Sequence, residues 1–193
     1  MIWAIGNGES RKHININQLS GIKVGCNAIA RDFKLQHLIC VDRRMVVESI
    51  ELDTAKTIYT RPEWHDQFKT FSQVKTVPAL PYSGNERCDE AFQWGSGPYA
   101  VLLAAQLTNN LVNMIGFDLY GQNKKINNIY KDTKNYDKSE KNAIDPRYWI
   151  HQISMIFKCY PNIQFKIYQT DNWDMPLSWK HTNVCIDKIS KLY

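Results

Sequence analysis

Short runs of apolar residues recur along the chain, each closed by small or polar ones. The first is Ile2-Trp3-Ala4-Ile5, and Gly6-Asn7-Gly8 closes it. Such a run reads as a buried strand followed by a tight turn. Residues 22–26 predict a second strand. Residues 38–42 predict a third, apolar up to the terminal Asp42. Residues 56–59 predict a fourth, stopped by Arg61-Pro62, and residues 74–77 a short fifth. Residues 111–117 read as a central strand ending at Asp118, and residues 163–168 as the last strand.

Between these runs the period changes. Met45, Val46, Ile50 and Leu52 stand at helical spacing within residues 43–52. Gly95-Ser96-Gly97-Pro98 leads into an Ala- and Leu-rich buried helix, with Pro98 suited to its first position. Asp145-Pro146 opens an amphipathic helix that runs through Cys159, with Asp145 as its cap. Short turns or helices fit residues 15–19 and 27–33. The tail carries a helical pattern over residues 184–192. Residues 63–71 are aromatic and polar with weak periodicity, and residues 78–95 read as a long loop. Residues 121–142 are polar and hold no clear element, and a run of that length inside a compact domain reads as a lid or binding loop. The alternation of strands and helices predicts an α/β fold: one Rossmann-like domain over residues 1–193. Its sheet is mainly parallel, with helices on both faces and a polar lid at 121–142.

Composition changes this picture little. With 193 residues, 44% hydrophobic and 22% charged, the chain can bury a core without staples. There is no apolar run of about 18 residues, so no membrane span is expected. The chain turns glycine-rich within its first six residues, unlike a signal peptide, and a cytoplasmic location is expected. The cysteines, Cys26, Cys40, Cys88, Cys159 and Cys185, are odd in number and show no CxxC spacing. That pattern predicts neither a disulfide framework nor a zinc site. The net charge of +5 favours phosphate-bearing ligands. Its densest part, from Lys124-Lys125 to Lys141, alternates with Asn, Asp and Tyr, as a solvated loop does, so nucleic acid is not the expected partner.

In doubly wound sheets ligands bind beyond the carboxyl ends of the strands. That rule selects Gly6, Asn7, Gly8 and Ser10, whose turn can offer amides and a hydroxyl to a phosphate or serve only to join strand and helix. It selects Asn27, which can bind a base or ribose or cap a helix. Asp42 and Asp118 can each hold a ribose, a magnesium ion or a proton, or act as caps. Ser96 and Gly97 stand at the start of the most hydrophobic helix, where free N–H groups can meet an anion or the glycines can permit close packing. His151 is a candidate acid or base on the last long helix, or a packing residue. No Walker loop, Ser-His-Asp set or Cys-His set is present.

The order Gly6-Asn7-Gly8-Glu9-Ser10, Cys26-Asn27, Ser96-Gly97 and Gly116-Phe117-Asp118-Leu119-Tyr120 resembles bacterial sialyltransferases of the Campylobacter type. In that family the first turn reads Gly-Asn-Gly-Pro-Ser, so Glu9 replaces a proline. The resemblance implies a glycosyltransferase with a nucleotide-sugar donor of the CMP-sialic acid kind, an acceptor not named by the sequence, and no cofactor. It implies that Asn7 and Asn27 contact the nucleotide and that Ser96 and Gly97 bind the sugar or its phosphate. Tyr130 or Tyr136 of the polar segment would reach the phosphate. His151, or a carboxylate near Asp118, would assist attack by the acceptor hydroxyl, although His151 lies nearer the last strand than the family spacing places its histidine. The same turn also resembles archaeal-type hydroxymethylpterin diphosphokinase-like proteins, which implies a nucleoside triphosphate with magnesium held by Asp42 and Asp118. The compact, Asn- and Lys-rich chain also has the style of tailed-phage accessory proteins, in which such a domain would serve binding alone.

Overall fold

The computed structural model describes residues 1–82, 89 and 91–193. Eight strands form one sheet: β1 (Ile2–Ile5), β2 (Ile22–Cys26), β3 (Leu35–Ile39), β4 (Ala55–Thr60), β5 (Val74–Thr76), β6 (Leu111–Ile115), β7 (Gln164–Gln169) and β8 (Val184–Lys188). Their order is β5-β4-β3-β2-β1-β6-β7-β8. Every neighbouring pair is parallel. The α-helices are α1 (Arg43–Leu52), α2 (Pro62–Phe68), α3 (Ser96–Gln106) and α4 (Arg147–Cys159).

β1 lies inside the sheet, with Ile2 opposite Ile22 of β2 on one side and Val112 of β6 on the other. Its side chains alternate between two cores. Ile2 and Ala4 join the core beneath α3 and α4, while Trp3 and Ile5 join the core of α1 and α2 through Met45, Val46 and Phe68. Both faces are covered, so the strand has no polar positions, which explains the uninterrupted Ile-Trp-Ala-Ile run. α3 is buried on nearly every side, as a helix without a polar face requires. It begins at Ser96, two residues earlier than expected, and Pro98 falls in its first turn, where no amide N–H is needed.

Three local expectations need correction. β3 starts at Leu35 and ends at Ile39, so Val41 and Asp42 lead into α1 instead of finishing the strand. The mixed polarity of Gln36 and His37 masked its first half. Asp145 caps α4 from one position further out: its carboxylate accepts from the Arg147 N–H at 2.9 Å, while Pro146 occupies the cap position. The tail is not helical over 184–192. Val184–Lys188 pairs with β7, Ile186 opposite Ile167, and only Ile189–Leu192 coils into a 3-10 turn. Pairing satisfies the backbone of this short segment, and that long-range gain outweighs its local helical spacing. The expected loop at 78–95 includes residues 83–88 and 90, which lie outside the described residues.

The cysteines follow the cores. Burial pushes the thiols of Cys26 and Cys40 up to about 12, whereas Cys185 is exposed on β8. Cys88 lies outside the described residues. At pH 8 a thiol with that value is only about one part in ten thousand thiolate, the reactive form. DTNB with peptide mapping is therefore expected to label Cys185 in the native protein and to reach Cys26 and Cys40 only on unfolding. Labelling of either buried thiol at the Cys185 rate would contradict this packing. Among the described residues, no helix is long and apolar enough to cross a membrane.

Candidate functional site

From β1 the chain steps outward to β5, and α3 then carries it back to β6 on the other side of β1. The connections after β1 and β6 therefore diverge and leave a crevice at their carboxyl ends. A cavity of about 300 Å³ occupies it. Gly6, Asn7 and Gly8 form one wall, with Cys26 and Asn27 beside them. The start of α3, residues 95–98, forms another wall, and residues 116–119 after β6 a third. Asn127 and Asn128 close one side, and Trp149 and Ile153 of α4 another.

The two turns that follow β1 and β6 touch. A Cβ on Gly6 would lie 2.2 Å from the Gly116 carbonyl oxygen, and one on Gly8 would lie 2.4 Å from the Asp118 carboxyl carbon. Gly116 itself has φ +71°, in the left-handed region that favours glycine. The amides of the first turn meet acceptors from the protein. Gly8 N–H donates to the Gly116 carbonyl at 2.9 Å, Glu9 N–H to Asn127 Oδ1 at 2.8 Å, and Ser10 N–H to Asp118 Oδ2 at 2.9 Å. The Ser10 hydroxyl donates to the other Asp118 oxygen. These bonds join the β1 and β6 turns and occupy the amides of residues 8–10, so that part of the turn has no free N–H for a ligand.

Arg11, only 2% exposed, anchors the same turn. Its guanidinium donates to the Gly6 carbonyl, to Asn7 Oδ1 at 3.0 Å and to the Tyr130 hydroxyl at 3.4 Å. The Tyr130 hydroxyl in turn donates to Asp32 at 2.7 Å. Asn7 uses its amide nitrogen on the Cys26 carbonyl at 3.0 Å, and its own carbonyl accepts from Ile129 N–H at 2.9 Å. Tyr136 accepts from Ala28 N–H at 3.4 Å, and Arg31 lies over both tyrosine rings at 5.7–5.8 Å while pairing with Glu48. That guanidinium holds the Glu48 carboxyl below the usual range, and burial is the main cause pushing the Tyr130 and Tyr136 hydroxyls up. The polar segment at 121–142 does lack helices and strands. Its middle, however, is tied to the sheet through Ile129, Tyr130 and Tyr136. Both tyrosine hydroxyls face protein groups, and neither residue lines the cavity.

Asn27 and Ser96 do face it. Val41 N–H donates to Ser96 Oγ at 3.1 Å, and Ser96 Oγ donates to Asn27 Oδ1 at 2.9 Å. This relay fixes the orientation of the Asn27 amide and leaves its nitrogen with no hydrogen-bond partner among the described residues. Asn27 also has φ +51°, which asparagine tolerates better than most residues. Ser96 and Gly97 contribute the first-turn N–H groups of α3, which have no acceptor within the helix.

The fold thus brings Gly6, Asn7, Gly8, Asn27, Ser96, Gly97 and Asp118 to one cavity. Ser10 stands behind Asp118, on the wall of a neighbouring cavity. Two expected members do not join them. Asp42 caps α1, accepting from Arg44 N–H at 2.9 Å and pairing with the Arg44 guanidinium at 2.8 Å, which lowers its carboxyl. Its side chain serves helix and ion pair, and only its neighbour Val41 reaches the cavity. His151 follows Trp149 by two residues, about 200° around the helix. It faces away from the cavity, with Nε2 4.0 Å from buried Asp89 and its ring edge-on to Tyr82. Asp42 and Asp118 therefore do not share a site. Among the described residues, no group of three His, Cys, Asp or Glu is placed to hold a metal ion.

Sequence reasoning missed Phe117, Asn127 and Trp149. It also passed over Asn172-Trp173-Asp174, although the strand-end rule, applied after β7, points to them. Nothing local marked Arg11, since its burial depends on residues more than a hundred positions away.

Sheet, crossover and crevice together define an α/β fold of Rossmann type. The chain is similar to an α-2,3-sialyltransferase from Campylobacter jejuni, known from its crystal structure in apo form. The TM-score is 0.51 at 16% identity, covering 94% of this chain and 81% of that one, and the likeness is one of fold. No family model matches the sequence, and no curated protein matches it.

Proposed function

We propose that the protein binds a nucleotide sugar of the CMP-sialic acid kind in the 300 Å³ cavity and transfers the sugar to an acceptor. The observation that carries this reading is the convergence of Asn7, Asn27, Ser96 and Gly97 at the crevice between β1 and β6. The Asn27 amide nitrogen offers a fixed donor to the nucleotide. The first-turn amides and the positive dipole end of α3 suit its phosphate or the carboxylate of the sugar. Phe117 and Trp149 provide apolar wall, the usual majority of a small-ligand site. No lysine or arginine is among the lining residues, so the helix end supplies the positive potential. Because His151 faces away, removal of the acceptor proton falls to the region of Asp118.

A thermal-shift panel of CMP, CDP, UDP and ATP, with and without magnesium, tests this reading. CMP at a hundredfold its Kd is expected to add about 2.7 kcal/mol of stability without metal. Asn27→Ala is expected to weaken CMP about tenfold, the value of one well-placed hydrogen bond. Stabilisation by ATP with magnesium alone, or by no nucleotide, would overturn it.

A further inference from the structure

Arg11 carries a full charge and is only 2% exposed, yet it forms no ion pair among the described residues. Its guanidinium meets neutral acceptors: the Gly6 carbonyl, Asn7 Oδ1 and the Tyr130 hydroxyl. The neighbouring acids are engaged elsewhere. Glu9 pairs with Lys131 at 2.7 Å, and Asp118 takes the Ser10 N–H and hydroxyl. Asp32 is exposed and is reached only through the Tyr130 hydroxyl, which donates to it. A buried cation in such company is costly unless a counter-charge comes to meet it.

Gly6 and Asn7, which accept from Arg11, both line the first cavity, so the charge sits directly behind that wall. Its field reaches the lining: burial pushes the Cys26 thiol up to about 12, and Arg11 opposes that rise. Its bond to the Gly6 carbonyl also acts on the far end of the same trans peptide. That end is the Asn7 N–H, which points away from the carbonyl and meets no acceptor among the described residues. A carbonyl bonded to a cation makes its peptide N–H a stronger donor. The lining's own charge among the described residues, Asp118, is an acid and works against an anion. We propose that Arg11 is a positioning residue for the donor: it fixes Asn7, and its charge offsets Asp118 so that the cavity prefers a phosphate-bearing ligand to its neutral counterpart. The charge adds to the dipole end of α3 and touches no ligand atom itself. This role rests on the donor reading above.

Titration calorimetry with CMP and with cytidine, its uncharged counterpart, tests the proposal on the intact chain. Wild type is expected to bind CMP more tightly than cytidine. Arg11→Gln keeps an amide donor and removes the charge. It is expected to lower the preference for CMP about tenfold, with cytidine little changed. Arg11→Lys is expected to restore most of the preference. A merely structural role would weaken both ligands alike. Asp32→Asn, at an exposed position, keeps an acceptor for Tyr130 and removes the partial counter-charge. It is expected to tighten CMP about twofold at low salt and to leave cytidine unchanged. An unchanged ratio of CMP to cytidine affinity in Arg11→Gln, or in Asp32→Asn where the Arg11 variants do not fold, would overturn the proposal. CMP binding with that unchanged ratio refutes this inference alone, whereas a wild-type protein that binds no CMP removes the donor reading and this role together.

Discussion

Gly6→Ala is expected to cost about 3 kcal/mol or more, the upper part of the range for overpacking. The new methyl would lie 2.2 Å from the Gly116 carbonyl oxygen, a backbone atom that no rotamer change can move. Relief requires the β1 and β6 turns to part. That would break the Gly8-to-Gly116 bond and displace Arg11 from the Gly6 carbonyl. For a chain of this length the loss corresponds to a fall in Tm of about 6–12 °C. Differential scanning calorimetry reads it directly. Gly97→Ala is the matched control. Its methyl would meet only Phe117 at 3.5 Å, an ordinary contact, and alanine suits the helix better. A Tm equal to wild type in both variants would show that the two turns do not approach as closely as described.

Trp179→Ala is expected to cost about 4 kcal/mol, as for other fully buried large-to-small changes. The side chain has no exposed surface. Its indole N–H donates to the Ile150 carbonyl at 2.8 Å, and its ring meets Phe157 edge-on at 5.5 Å. Its other ring neighbour is Trp173, at 5.9 Å. Urea unfolding measures the loss. A loss of less than about 1 kcal/mol would contradict the packing of α4 against the segment between β7 and β8.

By itself the sequence determined the periodic structure and the places where chemistry can gather. β1 was legible because both its faces are covered, so every position had to be apolar. α1 was legible end to end because Asp42 caps it and its apolar residues keep helical spacing. The strand-end rule reached Asn7, Asn27, Ser96 and Asp118, since small and amide residues after apolar runs mark the carboxyl edge of such a sheet. The tertiary structure decided which of these meet. Asp42 and Asp118 end similar runs, yet strand order puts one on a helix cap and the other on the cavity wall. Trp149 and His151 share a helix and almost a position, yet rotation about the axis sends them to opposite sides. The turn after β1 promised free amides, but those of Gly8, Glu9 and Ser10 are taken by Gly116, Asn127 and Asp118, more than a hundred residues away. The tail became a strand because β7 was there to pair with it. Local pattern encodes burial and period, which depend on near neighbours. Convergence, and the fate of each donor and acceptor, depends on long-range pairing that only the folded sheet supplies.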